Sequence, residues 1–267
     1  MHPIERLRYV ARASGADQRV LVHETATALR GLRLEPSGLV TACRRIVERH
    51  PTSGPLWWLC AEVLTSADPF ERAARCANLL DLDPTADELV DALPEDATVA
   101  VLGWPDLTAE ALIRRGDVVV LAVDVLDEGA GLVRRLQRAE VEAESVPPAG
   151  LGAAAASVDL VLLEASACGP DGALTIAGGR AAAAVAYCAE VPVWLVAGRG
   201  RRLPDPMWQA LLDRLGEHGD PWNAEDEVVP IQLVSHVVGP DGLQPAPGDV
   251  GTPECPLAHE LLRSVGF

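Results

Sequence analysis

Across residues 1–95, apolar side chains recur every three or four positions, and Pro36, Pro51, Pro69 and Pro84 break the pattern. This predicts several short helices and no strand. One helix is expected from Ser37 through Leu39, Val40, Cys43, Ile46 and Val47. The next carries Leu56, Leu59, Val63 and Leu64. Asp68 before Pro69 reads as an N-cap followed by a proline in the first turn.

Beyond the acidic ALPEDA segment the texture changes to short β-rich runs at 98–102, 117–123, 159–163, 191–196 and 228–233, with a weaker run at 140–146. Continuous apolar runs separated by helical stretches predict strands of a parallel sheet covered on both faces. The fold class expected is therefore α/β, with an all-helical N-terminal domain (1–95) followed by a Rossmann-like parallel-sheet domain (96–267). The Gly- and Pro-rich tail, 239–256, is expected to be irregular, ending in a short helix near 257–264. The Ala-rich pieces at 153–156 and 181–184 read as tightly packed helices.

Composition narrows the chemistry. Among the 267 residues, 22 basic side chains face 39 acidic ones, a formal net charge of −17. Such a surface repels polyanions, so broad nucleic-acid binding is disfavoured. Every basic residue is Arg, and the absence of Lys excludes Schiff-base chemistry and a phosphate-loop lysine. The six cysteines never adopt C-x-x-C spacing, so neither a zinc site nor a dithiol site is expected. No apolar stretch reaches a membrane span. Glu5, Arg6 and Arg8 interrupt what a secretory signal would need, so a cytoplasmic location is expected.

In an open parallel sheet, ligands bind beyond the carboxyl ends of the strands. That places Gly103, Trp104, Asp124, Glu164–Cys168 and the loop at 198–202 at the candidate site. Gly178 and Gly179, entering an Ala-rich helix, offer amides to an anion. AGRGRR concentrates Arg199, Arg201 and Arg202 after a strand. It suits a phosphate group, or else it is an arginine loop pairing with nearby carboxylates such as Asp205. Glu164 and Asp171 are a possible acid/base pair. No Ser-His-Asp, His-Glu-x-x-His or Gly-x-Gly-x-x-Gly pattern supports a hydrolase, a zinc protease or a dinucleotide enzyme.

The segment DLVLLEASACGPDGALTIAGGRAAAAVAYCAEVPVWLVAGRGRRLP, together with RHPTSGPLWWL and VVPIQLVSHVVGPDG, resembles the initiation factor 2B family. That family includes regulatory subunits of a guanine-nucleotide exchange factor and two sugar-phosphate isomerases. The resemblance implies a helical domain on a Rossmann-like domain and a homodimer built through the latter; separately, no cofactor or metal is expected. The isomerases' Cys falls on Gly103 and their Asp on Ser166, so both proton-transfer groups are replaced. The Asn-Lys pair falls on Ile176 and Ala177, with the following Gly kept as Gly179. His50 replaces a phosphate-contacting Arg, and Arg201 keeps a basic position.

Losing a positioned acid or base costs roughly 10²- to 10⁴-fold in rate. The resemblance therefore implies a catalytically degenerate protein that binds a phosphorylated sugar or nucleotide in a regulatory role. Its anion contacts would be His50, Gly103, Ser166, Gly178, Gly179, Arg199 and Arg201. Two alternatives stand beside it: an aldose-ketose isomerase using Glu164, Ser166 or Cys168, and a structural subunit acting through a protein interface.

Overall fold

A computed structural model describes residues 18–34, 36–218, 220, 222–246 and 250–263. The N-terminal residues whose charges argue against a signal sequence lie outside these, as does Ser264. The first part is helical: α1 (Gln18–Arg30), α2 (Leu39–Arg49), α3 (Gly54–Thr65), α4 (Pro69–Asp81) and α5 (Thr85–Ala92). Helix α3 is apolar almost all round and buries every residue from Gly54 to Val63, so it forms the centre of this layer. The Asp68 side chain accepts a hydrogen bond from the Glu71 amide at 3.1 Å, the cap expected at the start of α4. Among the described residues before Thr98 there is no strand.

Strands and helices then alternate: β1 (Thr98–Leu102), α6 (Asp106–Arg115), β2 (Val119–Val123), α7 (Gly129–Arg138), β3 (Glu142–Val146), α8 (Leu151–Ser157), β4 (Leu160–Glu164), β5 (Ala167–Gly169), β6 (Gly172–Ile176), α9 (Gly179–Cys188), β7 (Val193–Val196), α10 (Asp205–His218), β8 (Asp226–Pro230), β9 (His236–Gly239) and β10 (Gly242–Pro245). Seven strands form one sheet in the order β10-β9-β7-β4-β1-β2-β3, parallel except for the β9–β10 pair. The fold is mixed α/β. Apolar clusters cover both faces of this sheet, which explains why β1, β4 and β7 read as unbroken apolar runs. The edge strand β3 is mostly exposed, with Glu142 and Glu144 on it, and such charges blunt an edge against further pairing.

Two expectations are corrected. The run at 228–233 is no member of the parallel sheet: β8 pairs antiparallel with β6, which pairs with β5, in a separate three-stranded sheet. The run is then interrupted, because Ile231–Leu233 turns as a 3₁₀ helix. The tail is also more regular than expected, since β9 and β10 form a hairpin on the sheet edge. Gly-Pro-Asp-Gly closes both hairpins, at residues 169–172 and 239–242, a sequence in which Pro favours a turn φ. After Pro256 the only helical turn among the described residues is the 3₁₀ segment His259–Leu261.

The helical layer shares its core with the rest of the chain. Leu174, Met207, Trp208, Ala258 and Leu261 pack in one cluster with residues of α1–α4. The Arg214 guanidinium lies 4.7 Å from the Trp57 ring centroid and donates to Glu48 at 3.1 Å and to the Leu261 carbonyl at 2.8 Å. Gly54 provides a second junction. Its amide donates to the Ser166 carbonyl at 3.0 Å, and a Cβ there would lie 2.6 Å from that oxygen. Only glycine lets the start of α3 approach the end of β4 so closely.

Candidate functional site

Strand order reverses between β1 and β4, with β2 and β3 on one side and β7 and β9 on the other. A cleft of about 260 Å³ opens at this switch point, where ligands of open α/β sheets bind. Its floor is the end of β1 and β4, from Leu102 and from Leu162 to Ala165, and its walls include Trp104, Leu126 and Ile176. Trp104 is held as a wall by α7. Arg135 lies 5.8 Å from its ring centroid, and a Cβ at Gly131 would meet the ring at 2.7 Å.

Charge around the cleft is lopsided. Among the described residues, Asp106, Glu128, Glu164, Glu225 and Asp226 line it, against the single guanidinium of Arg201. Burial first, and the neighbouring Glu225 charge second, push the Asp226 carboxyl up to about 6. A phosphate dianion brought here meets like charges in a partly desolvated space, which is repulsive.

Arg201 is only 6% exposed. Its Nη1 and Nη2 donate to Glu164 Oε1 at 3.0 and 2.9 Å, and Nη1 also donates to the Ala165 carbonyl at 2.5 Å. The other oxygen, Glu164 Oε2, accepts from the amide and the hydroxyl of Thr108, each at 3.0 Å. The backbone amides of the arginine loop also meet carboxylates, whereas Arg199 Nε and Arg202 Nε are buried without a hydrogen-bond partner among the described residues. The Arg199 amide donates to Asp83 Oδ2 at 2.8 Å. The amides of Gly200, Arg201 and Arg202 converge on Glu254 Oε2 at 2.8, 3.2 and 3.4 Å. Glu164, Asp83 and Glu254 are thus the carboxylates that meet this loop, Glu164 through the Arg201 guanidinium and the other two chiefly through backbone amides. Asp205 accepts instead from Gln209.

Helix N-termini on this sheet edge follow the same rule. The Ala130 amide in α7 donates to Asp124 at 3.1 Å, and the Arg180 amide in α9 donates to Glu227 at 2.8 Å. Gly178 caps α9 with φ +89°, and a Cβ on it would meet Leu151 at 3.0 Å and Leu102 at 3.4 Å, so apolar packing closes over it. A Cβ on the adjacent Gly179 would clash with the Thr175 hydroxyl. Gly103, φ +61°, donates its amide to the Val123 carbonyl at 3.0 Å, with Ile176 and Glu128 crowding the space above it.

The catalytic candidates are engaged elsewhere. Ser166 Oγ donates to the Leu174 carbonyl at 3.2 Å. Cys168 is fully buried, and that burial pushes its thiol up to about 12 despite the Arg201 and Arg202 charges, so it is no thiolate near neutrality. Asp171 accepts from Trp208 Nε1 at 2.8 Å and forms no pair with Glu164. His50 caps α2, its amide donating to the Ile46 carbonyl at 3.0 Å, and it does not line the cleft.

The cleft thus gathers Glu164, Ser166 and Arg201, and leaves His50 and Arg199 outside its lining. Sequence reasoning missed Thr108, Glu128, Glu225, Asp226 and the loop-binding Glu254. Thr108 was within reach, as a hydroxyl in the first turn of the helix after β1. Glu254 had no signal, being more than fifty residues from the loop it binds.

Among the described residues, no helix is long and apolar enough to cross a membrane, and no three His, Cys, Asp or Glu side chains are grouped to hold a metal. No family profile and no curated protein matches the chain. Solved structures do. The translation initiation factor eIF-2B of Pyrococcus horikoshii OT3 superimposes with a TM-score of 0.78 at 14% identity, over 93% of this chain and 98% of that one. The tetrameric eIF2B-beta2-delta2 complex from C. thermophilum matches with a TM-score of 0.72 at 17% identity, over 91% and 90%. The eIF2B beta structure from Chaetomium thermophilum matches at 0.68 and 15%, over 91% and 88%. The chain has the fold of these eIF2B subunits.

Proposed function

We propose that this chain is a non-catalytic binding protein built on the eIF2B fold, whose switch-point cleft takes one small neutral or positively charged molecule and acts through that binding. The observation that carries this reading is the fully committed Glu164 carboxylate, with four donors on it inside the cleft. A general acid or base must be free to exchange a proton with the substrate. Neither Glu164, held by Arg201 and Thr108, nor the buried Cys168 meets that requirement.

Size and charge select the ligand. Ligand pockets usually measure roughly 300–1,000 Å³, so a cleft of about 260 Å³ suits a single sugar ring or a small amine better than a nucleotide. Its carboxylates accept hydroxyl and ammonium protons. The phosphorylated ligand expected from the sequence is the outcome that would overturn this choice.

The test is thermal unfolding of the full chain with pentoses, amino sugars and small diamines, against pentose phosphates and nucleoside monophosphates at equal ionic strength. A ligand at a hundredfold excess over its Kd stabilises by about 2.7 kcal/mol. Stabilisation by the first group alone is expected. Stabilisation by phosphates, or conversion of ribose 1,5-bisphosphate or methylthioribose 1-phosphate to a ketose, would refute the reading.

A second reading, association with another protein chain, has its own support. Trp222 is 91% exposed, on a turn where its amide and the Asn223 side chain both bond Asp220. A held, exposed Trp is a typical interface anchor, and one structural neighbour is a tetrameric complex. Self-association through residues 96–267, which carry Trp222, would appear as a concentration-dependent mass in sedimentation and be lost in Trp222→Ser.

A further inference from the structure

Glu164 sits where the donors of its surroundings would otherwise meet an external anion. Two guanidinium N–H groups reach one of its oxygens, and an amide and a hydroxyl reach the other. Thr108 lies in the first turn of the ten-residue helix α6, so the amide brings the positive end of that helix with it. Thr108 is fully buried, and Arg201 is nine-tenths buried with its orientation held by the Ala165 carbonyl. Guanidinium fork, helix N-terminus and hydroxyl together make an oxyanion receptacle, and Glu164 and Arg201 both face the cleft.

We propose that the Glu164 carboxylate is the built-in occupant of an oxyanion receptacle that opens into the cleft, and that it sets the cleft's specificity by denying this receptacle to phosphate. An incoming phosphate must displace the carboxylate and leave it buried without its cation. Breaking one side of a buried pair is strongly unfavourable, enough to lower affinity roughly a hundredfold to several-thousandfold. Without the carboxylate, the same donors are left buried and unsatisfied, and a tetrahedral oxyanion reaching in from the cleft relieves them.

The experiment compares the full-length wild-type chain with Glu164→Ala, measuring thermal unfolding in inorganic phosphate against chloride at matched ionic strength. A saturable, phosphate-specific rise in Tm is expected in Glu164→Ala and none in wild type. Glu164→Gln, which keeps the space filled with a neutral group, and the double variant Glu164→Ala/Arg201→Met, which lacks the fork, should show no such rise. Should Glu164→Ala fail to fold in chloride, recovery of the folded state in phosphate is the expected result. The inference is overturned by an absent phosphate effect or absent recovery in Glu164→Ala, by an equal effect in wild type or Glu164→Gln, or by its survival in the double variant. The result is independent of which neutral or cationic molecule stabilises the wild-type chain.

Discussion

Arg201 and Glu164 meet through two hydrogen bonds of 3.0 and 2.9 Å at the carboxyl end of β4, with side-chain exposures of 8% and 11%. Removing one member of a buried pair leaves the other charge uncompensated, at about 3–5 kcal/mol, whereas replacing both with apolar groups is often close to neutral. Arg201→Met is therefore expected to lower stability by about that much. Arg201→Met/Glu164→Leu is expected to be more stable than the single variant. Urea unfolding of both checks this, and a double variant losing more than the single one would contradict it.

Gly200 is required by the loop that carries Arg201. Its φ is +78°, and a Cβ would meet the Trp58 ring at 3.0 Å, so Gly200→Ala combines left-handed strain with a clash against α3. A loss of about 1–2 kcal/mol from the backbone conformation alone is expected in chemical denaturation, and a neutral result would mean the loop is arranged otherwise.

Asp226 makes the cleft sensitive to pH. Its carboxyl is raised from 3.8 to about 6, so the folded chain holds this proton more tightly than the unfolded one. The associated stability is fully present below the unfolded value and is lost as pH rises through about 6. Asp226→Asn should match wild type near pH 4 and exceed it above pH 6, as read from Tm at a series of pH values. Equal stability at pH 8 would show that burial does not penalise this carboxylate.

Thiol reactivity should be confined to one position. Of the six cysteines only Cys188 is exposed, while Cys76, Cys168 and Cys255 are each pushed up to about 12, chiefly by burial. A thiol reagent at pH 7 is expected to modify one group per native chain and all six after unfolding. Fast labelling of Cys168 would restore it as a nucleophile.

Ionic strength acts on the whole molecule. A net charge of −17 opposes compaction by self-repulsion, and salt shortens the screening length from about 10 Å at 0.1 M to about 3 Å at 1 M. Melting temperature should rise with potassium chloride over that range. A fall would mean that the internal pairs, screened by the same salt, outweigh the repulsion.

Much of the fold was legible because β1, β4 and β7 are buried on both faces and so advertise themselves as apolar runs, and because Pro69 and Gly178 punctuate their helices as turn chemistry requires. The β9–β10 hairpin was overlooked although Gly239-Pro240-Asp241-Gly242 repeats the turn of residues 169–172, and the abundance of Gly and Pro masked it. The position of the candidate cleft followed from strand order, and Glu164, Ser166 and Arg201 are together in its lining. Its charge did not, since Asp83 and Glu254 reach the arginine loop from distant parts of the chain and no local pattern announces them.

The most direct measurement of the central claim is calorimetric titration of the wild-type chain with ribose 1,5-bisphosphate at fixed ionic strength. With Glu164 holding the Arg201 fork, no saturable heat is expected. Saturable binding that Arg201→Met abolishes would mean that the fork is open to phosphate, and that the carboxylate does not guard it.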